Sequence, residues 1–250
     1  MTYPRVNPGA DIRLFCFPYA GGGASAYRLW LSALPSFIEL CPIQMPGREN
    51  RFRDQMFTSL PPLVRAIAQS LYPHLDKPFA FFGHSLGAKL AFELTRLLRR
   101  EHGPEPLHLF VSGHGAPHRP SPGLPIHALP DAEFIQEVQR YEGMPQEVLE
   151  SEDLMRYLIP ILRADFSVNE SYVYTQEPPL RSSITAYGGL RDDNVPRDDL
   201  EAWREQTSAN FEFLMFPGGH FFLQTEWMFV LRELSQELYE LKEKLAGCVK

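Results

Sequence analysis

The run Gly83-His84-Ser85-Leu86-Gly87 sets a serine between two glycines, directly after the apolar stretch Phe79-Ala80-Phe81-Phe82 and ahead of a helix-forming stretch over 88–100. A strand-to-helix turn this sharp forces strained backbone angles on its central residue, and side chains at either glycine would strike neighbouring main chain. The serine hydroxyl is thereby lifted clear of the strand, at the positive end of the next helix. Acyl transfer through a serine ester is the chemistry this presentation allows. A hydroxyl needs a histidine to take its proton, and the histidine needs a carboxylate to orient it. On a turn of this kind the chain order is serine, acid, histidine.

Eight histidines are available. His74, His84, His102 and His108 come too early. His114, His118 and His127 fall in a proline- and glycine-rich stretch before any strand end that could carry the acid. Three such histidines also raise a metal reading, but no helical spacing supports it. His220 remains, following the run 211–216 through Pro217-Gly218-Gly219, with Phe221 and Phe222 able to shield it from water. The acid should close the preceding strand, over 183–187, where Asp192 and Asp193 compete. Asp192 stands in the spacing Gly-x-x-Asp-x-x-Val-Pro and is favoured; Asp193 reads as a solvent-facing neighbour or helix cap. The glycine-rich turn Gly21-Gly22-Gly23 after the run 13–17 lacks the dinucleotide pattern Gly-x-Gly-x-x-Gly. Beside a serine nucleophile, such a loop supplies one main-chain N–H to an oxyanion and the residue after the serine supplies the other. Those donors are assigned to Ala20 and Leu86.

The elements that must hold these residues are legible as six short apolar runs, 13–17, 39–45, 79–83, 107–112, 183–187 and 211–216. Helical patterns over 26–34, 60–71, 86–100 and 200–207 alternate with them. This alternation implies a parallel sheet with crossover helices. Combined with the serine turn, it predicts an α/β-hydrolase fold: a mostly parallel central sheet flanked by helices, in a single domain over 1–250. The alternation breaks over 114–174, which begins rich in proline and continues as helical pieces at 132–141 and 152–163. An insertion here would sit at the C-terminal edge of the sheet, where such folds place their sites, and reads as a helical lid. The alternative is an ordinary pair of crossover helices. Phe134, Tyr141, Met144, Met155 and Tyr157 give that lid an apolar character suited to an acyl pocket. Leucines at 231, 234, 238, 241 and 245 mark a final helix packing one face on the body, rather than a short coiled coil.

Composition narrows the class further. A net charge of −7 is wrong for a nucleic-acid or anionic-membrane binder. No apolar run is long enough to span a bilayer, and the first eleven residues do not read as a signal peptide. Cys16, Cys41 and Cys248 are an odd set with no zinc spacing, and the first two read as buried small hydrophobes. A cytoplasmic monomer without metal or cofactor is expected.

With these residues in place, the chain resembles type II thioesterases, the stand-alone hydrolases associated with nonribosomal peptide and polyketide synthases. It is also similar to the medium-chain acyl thioesterases of animal fatty acid synthesis. The resemblance rests on Phe17-Pro18-Tyr19-Ala20-Gly21-Gly22-Gly23, Pro46-Gly47-Arg48-Glu49, Phe82-Gly83-His84-Ser85-Leu86-Gly87-Ala88, Leu162-Arg163-Ala164-Asp165, Glu201-Ala202-Trp203 and Pro217-Gly218-Gly219-His220-Phe221, spread over 13–225. Most members have methionine where this chain has Leu86, a change that leaves a main-chain donor in place. The resemblance implies hydrolysis of an acyl or aminoacyl thioester on the phosphopantetheine arm of a carrier protein, clearing stalled or misloaded arms. Arg48, Arg51 and Arg53 follow the run 39–45 on the same sheet edge and are hypothesised to contact the arm's phosphate or an acidic carrier surface. A solvated loop with some structural pairing is the alternative. Rival functions are a fatty-acyl or chain-releasing thioesterase, a generic carboxylesterase, and a silent hydrolase-fold binding protein; Ser85, Asp192 and His220 all being present speaks against the last.

Overall fold

Burial on both faces accounts for the unbroken apolar runs: β3 (Phe79–His84) and β4 (His108–Ser112) contain no exposed residue. The computed structural model describes residues 7–120, 123–141 and 143–248. With β1 (Ile12–Phe17), β2 (Ile38–Pro42), β5 (Ser183–Gly189) and β6 (Phe211–Phe216), these strands form one sheet in the order β2-β1-β3-β4-β5-β6. Every neighbouring pair is parallel. The helices are α1 (Leu60–Leu71), α2 (Leu86–Arg100), α3 (Asp131–Gln139), α4 (Gln146–Leu149), α5 (Glu152–Glu170), α6 (Arg197–Glu201), α7 (Phe222–Thr225) and α8 (Trp227–Cys248).

Alternate strand residues feed two cores. Phe15, Phe17, Phe81, Leu109 and Val111 pack under α1 and α2, while Leu14, Cys16, Phe82 and Phe110 pack under α8 and the 3₁₀ helix Ala24–Ser32. The α2 helix is buried from Leu86 through Leu98.

Strand order reverses direction at β1: the chain moves outward to β2, then returns to β3 on the other side. The crevice beyond the C-terminal ends of β1 and β3 is therefore the switch point where parallel sheets collect ligands. Register pairs Phe17 with Gly83, so the loops leaving both strands start level with each other.

Several boundaries differ from the sequence reading. The strand read over 39–45 ends at Pro42, because β1 offers Cys16 as its last partner; Ile43 gives its N–H to the Cys16 carbonyl (2.8 Å) and the chain peels away. The helix read over 26–34 is the 3₁₀ helix Ala24–Ser32, and that over 200–207 divides into α6 and a 3₁₀ helix, Ala202–Gln206. The helix read over 152–163 runs on to Glu170 through Pro160. Cys16 and Cys41 are buried free thiols; the Cys248 side chain lies outside the described residues. No described helix is long and apolar enough to cross a membrane.

Candidate active site

At the turn between β3 and α2, Ser85 has φ 54° and ψ −120°, a conformation outside the ordinary regions for a side-chain-bearing residue. The strain is held by main chain on both sides: the Ser85 N–H donates to the Ser112 carbonyl (2.7 Å) and the Ser85 carbonyl accepts from Ala88 (2.9 Å). A side chain at Gly83 would collide with the Gly87 carbonyl, and one at Gly87 with the carbonyl oxygen of Phe17. The two glycines of the motif are thus required by contact with backbone, which cannot rotate away.

His220 arrives on the loop after β6, with Gly218 at φ 104° making the bend. Its Nε2 lies 3.0 Å from Ser85 Oγ and its Nδ1 2.8 Å from Asp192 Oδ2. An ionised carboxylate only accepts, so Nδ1 carries the proton and Nε2 is left to accept from the serine hydroxyl. The other oxygen, Asp192 Oδ1, accepts the Asn194 N–H at 3.0 Å. Asp192 is buried and Asp193 exposed. Rings of Tyr141 and Phe221 flank His220 at 5.2 and 5.3 Å. The structure thus brings Ser85, His220 and Asp192 into one hydrogen-bonded chain.

His84, inside the motif, is a different kind of histidine. It is fully buried, its Nδ1 lies 2.8 Å from Ser112 Oγ, and burial holds its pKa well below the usual range. A neutral ring there packs under the site without adding charge.

A cavity of about 650 Å³ opens over Ser85. Ala20 and Leu86 both line it. Among the loop's N–H groups, Gly21 donates to Asp165, Gly22 to the Tyr19 carbonyl, Ala24 to Gln44 and Ser25 to Glu49. Ala20 forms no such bond within the described loop, and Leu86, at the first position of α2, has no helical acceptor. The segment between β4 and β5 contributes Tyr141, Met144, Leu158 and Leu162 to the cavity wall. Of the other apolar residues read there, Phe134 and Met155 are buried and Tyr157 is exposed.

The three arginines part company. Arg48 is buried, 4% exposed, and its guanidinium forks onto Asp165 at 2.5 and 2.8 Å, so it is not available to a docking partner. Arg51 is half-exposed and pairs with Asp54 (2.7 Å), and Arg53 is exposed with its guanidinium over Phe52. Positive charges clustered in sequence read as surface, but the partner that draws Arg48 inward lies 117 residues away. Asp165 stands in the Leu162-Arg163-Ala164-Asp165 run, where nothing local in the sequence points to this partner. His114, His118 and His127 do not gather: their rings face the Gly115 carbonyl, Gln206 and Glu170, and no metal-ligand cluster occurs among the described residues.

Known proteins resemble the chain over most of its length. A model of the thioesterase domain matches residues 12–238. Gramicidin S biosynthesis protein GrsT of Aneurinibacillus migulanus is 49% identical over 219 residues, covering 88% of this chain and 86% of its own. A protein of Brevibacillus parabrevis named linear gramicidin dehydrogenase LgrE is 47% identical over 226 residues, covering 89% and 86%. The type II thioesterase BorB from the borrelidin biosynthetic cluster superposes with a TM-score of 0.84 at 31% identity, over 95% of each chain. The chain belongs to the thioesterase family and has the α/β-hydrolase fold of its type II members.

Proposed function

We propose that Ser85 is the nucleophile that cleaves an acyl or aminoacyl thioester on the phosphopantetheine arm of a carrier protein. The observation that carries this is the contact of Ser85 Oγ with His220 Nε2 at 3.0 Å, His220 in turn resting on Asp192 at 2.8 Å. Ser85 Oγ attacks the thioester carbon as its proton passes to His220 Nε2, and Asp192 steadies the imidazolium. The carbonyl oxygen gains charge against the N–H groups of Ala20 and Leu86. As the C–S bond breaks, the proton moves from His220 to the departing sulfur, leaving an acyl-serine. Water, deprotonated by His220, then attacks the ester, frees the acid and restores the serine.

Family membership supports the thioester, and relatives named for peptide and polyketide pathways support a carrier-bound one. In this reading the protein is a cytoplasmic monomer that clears stalled or misloaded arms, and the segment 114–174 acts as a lid over the acyl group. A medium-chain fatty acyl substrate is the second reading. Rates on acyl-loaded carriers, acyl-CoAs and simple esters separate the two: carrier-bound short acyl groups should be cleaved with the highest kcat/KM. Labelling by a fluorophosphonate should vanish in Ser85→Ala, and an unlabelled wild type would overturn the mechanism.

A further inference from the structure

Among the motifs left unused by the proposed chemistry are Pro46-Gly47-Arg48-Glu49 and Leu162-Arg163-Ala164-Asp165. They meet. Arg48 Nη1 and Nη2 reach the two oxygens of Asp165 at 2.5 and 2.8 Å, and both side chains are about 5% exposed. The pair does not stand apart from the site. Asp165 Oδ2 also accepts the Gly21 N–H at 2.7 Å, and Arg48 Nη1 also donates to the Gly22 carbonyl at 3.1 Å. Arg48 Nε turns back to the Pro46 carbonyl (3.3 Å), so the guanidinium is fixed from its own loop. Leu162, one turn before Asp165 on α5, packs so closely on Gly21 that a side chain there would meet it at 2.7 Å.

We infer that the Arg48–Asp165 ion pair is a positioning device for the oxyanion loop, holding the Ala20–Gly21 peptide and the Gly22 carbonyl so that the Ala20 N–H faces the reacting carbonyl. The inference rests on the reading of Ala20 as an oxyanion donor. Its physical basis is hydrogen-bond accounting. Gly21 sits at φ +80°, where nothing intrinsic to a glycine fixes the peptide plane. Asp165 fixes the Ala20–Gly21 peptide by taking the Gly21 N–H, and Arg48 fixes the Gly22 carbonyl two peptides on. Taking two charges out of water is costly, and apolar residues of similar volume would often serve stability as well. What they would not supply is one acceptor for the Gly21 N–H and one donor for the Gly22 carbonyl. Lysine would not supply it either, because only the planar fork reaches both carboxylate oxygens while donating to Gly22. Since Asp165 belongs to α5, the proposed lid and the oxyanion loop share one anchor.

The test compares wild type with Asp165→Asn, which keeps an acceptor for Gly21 but breaks the charge pair, and with Arg48→Lys, which keeps the charge but loses the Gly22 tie. Each is assayed on a small pantetheine thioester, and for affinity toward a trifluoromethyl ketone, whose Ser85 adduct carries the oxyanion. A ground-state amide analogue of the same shape is the control. In both variants kcat should fall about 10- to 100-fold with KM little changed, and affinity for the ketone should fall by a similar factor. Affinity for the amide and the pH midpoint of kcat should stay put, because His220 and Asp192 are untouched. Folded variants with wild-type kcat, or with reduced kcat and undiminished ketone affinity, would overturn the inference. So would failure of both variants to fold, since the pair would then be serving the fold alone. A wild type that cleaves the thioester but shows no preference for the ketone over the amide would instead refute the reading of Ala20.

Discussion

On the sheet face away from α2, Glu237 of α8 is held against β5, its Oε2 accepting from Thr185 Oγ1 (2.5 Å) and its Oε1 from the Tyr187 hydroxyl (2.7 Å). Thr185 in turn faces His108 Nε2 at 2.8 Å. Burial pushes the Glu237 carboxyl up to about 7, with Glu212 and Glu240 adding to the rise and the two hydroxyl donors opposing it. A carboxyl with a raised folded-state pKa binds its proton more tightly folded than unfolded. Its contribution to stability is therefore fully present below the unfolded value of 4.5 and is lost as the pH rises through about 7. At about 1.36 kcal/mol per unit, a rise from 4.5 to about 7 amounts to about 3 kcal/mol. His108 works the other way: burial lowers it to about 3, so its contribution is lost as the pH falls below 6.5. A scan of the wild type alone would mix the two, and Glu237→Gln removes only the first. Unfolding by urea at several pH values from 4.5 to 8.5 should show the variant gaining about 3 kcal/mol on the wild type across that range. In melting temperature this is roughly 6–12 °C for a chain of this size. A difference between the two proteins that stays flat with pH, or falls as the pH rises, would refute the reasoning.

Three further outcomes follow from the site. Gly87→Ala should cost at least about 3 kcal/mol or abolish folding, because its methyl group meets the carbonyl oxygens of Phe17 and Pro18, whereas Gly247→Ala on α8 meets nothing and should be neutral or slightly stabilising; urea unfolding compares them. Leu86→Met should leave kcat on a small thioester within about two-fold of the wild type and stability within about 1.5 kcal/mol, since the group assigned to the oxyanion is main chain. Charge reversal at Arg51 and Arg53 should raise KM for carrier-bound substrates and leave small thioesters unaffected; equal effects on both would remove these residues from docking.

The residues proposed to bear chemistry were readable because their signals are local. Ser85 announces itself by its two glycines, and Asp192 and His220 by standing just past strands whose apolar runs are unmistakable. All six strands were legible for the same reason, though β2 stopped at Pro42 when its ladder partner ran out. The support of the site was not legible. Nothing between positions 48 and 165 indicates that an arginine in a basic loop will be drawn inside by an aspartate on a distant helix. The continuation of α5 past Arg163 was hidden too: the helical pattern beyond it is held by packing of Phe166 and Val168, which local spacing alone does not reveal.

The strand ends also sort the site residues into two hydrogen-bonded groups. Leu190 donates to Phe216 and Arg191 to Gly218, both at 2.8 Å, so the turn carrying Asp192 and the loop carrying His220 are laced together. Gly189 admits this lacing, since a side chain there would strike the Gly219 carbonyl. Ser85 belongs to the other group, tied to β4 through Ser112. Asp192 and His220 therefore stand on one laced pair of loops, and Ser85 meets them across the β4–β5 pairing of the sheet. Changes that flex the sheet between β4 and β5 should register in the rate of acylation, while the proton shared by His220 and Asp192 keeps its magnetic resonance signature.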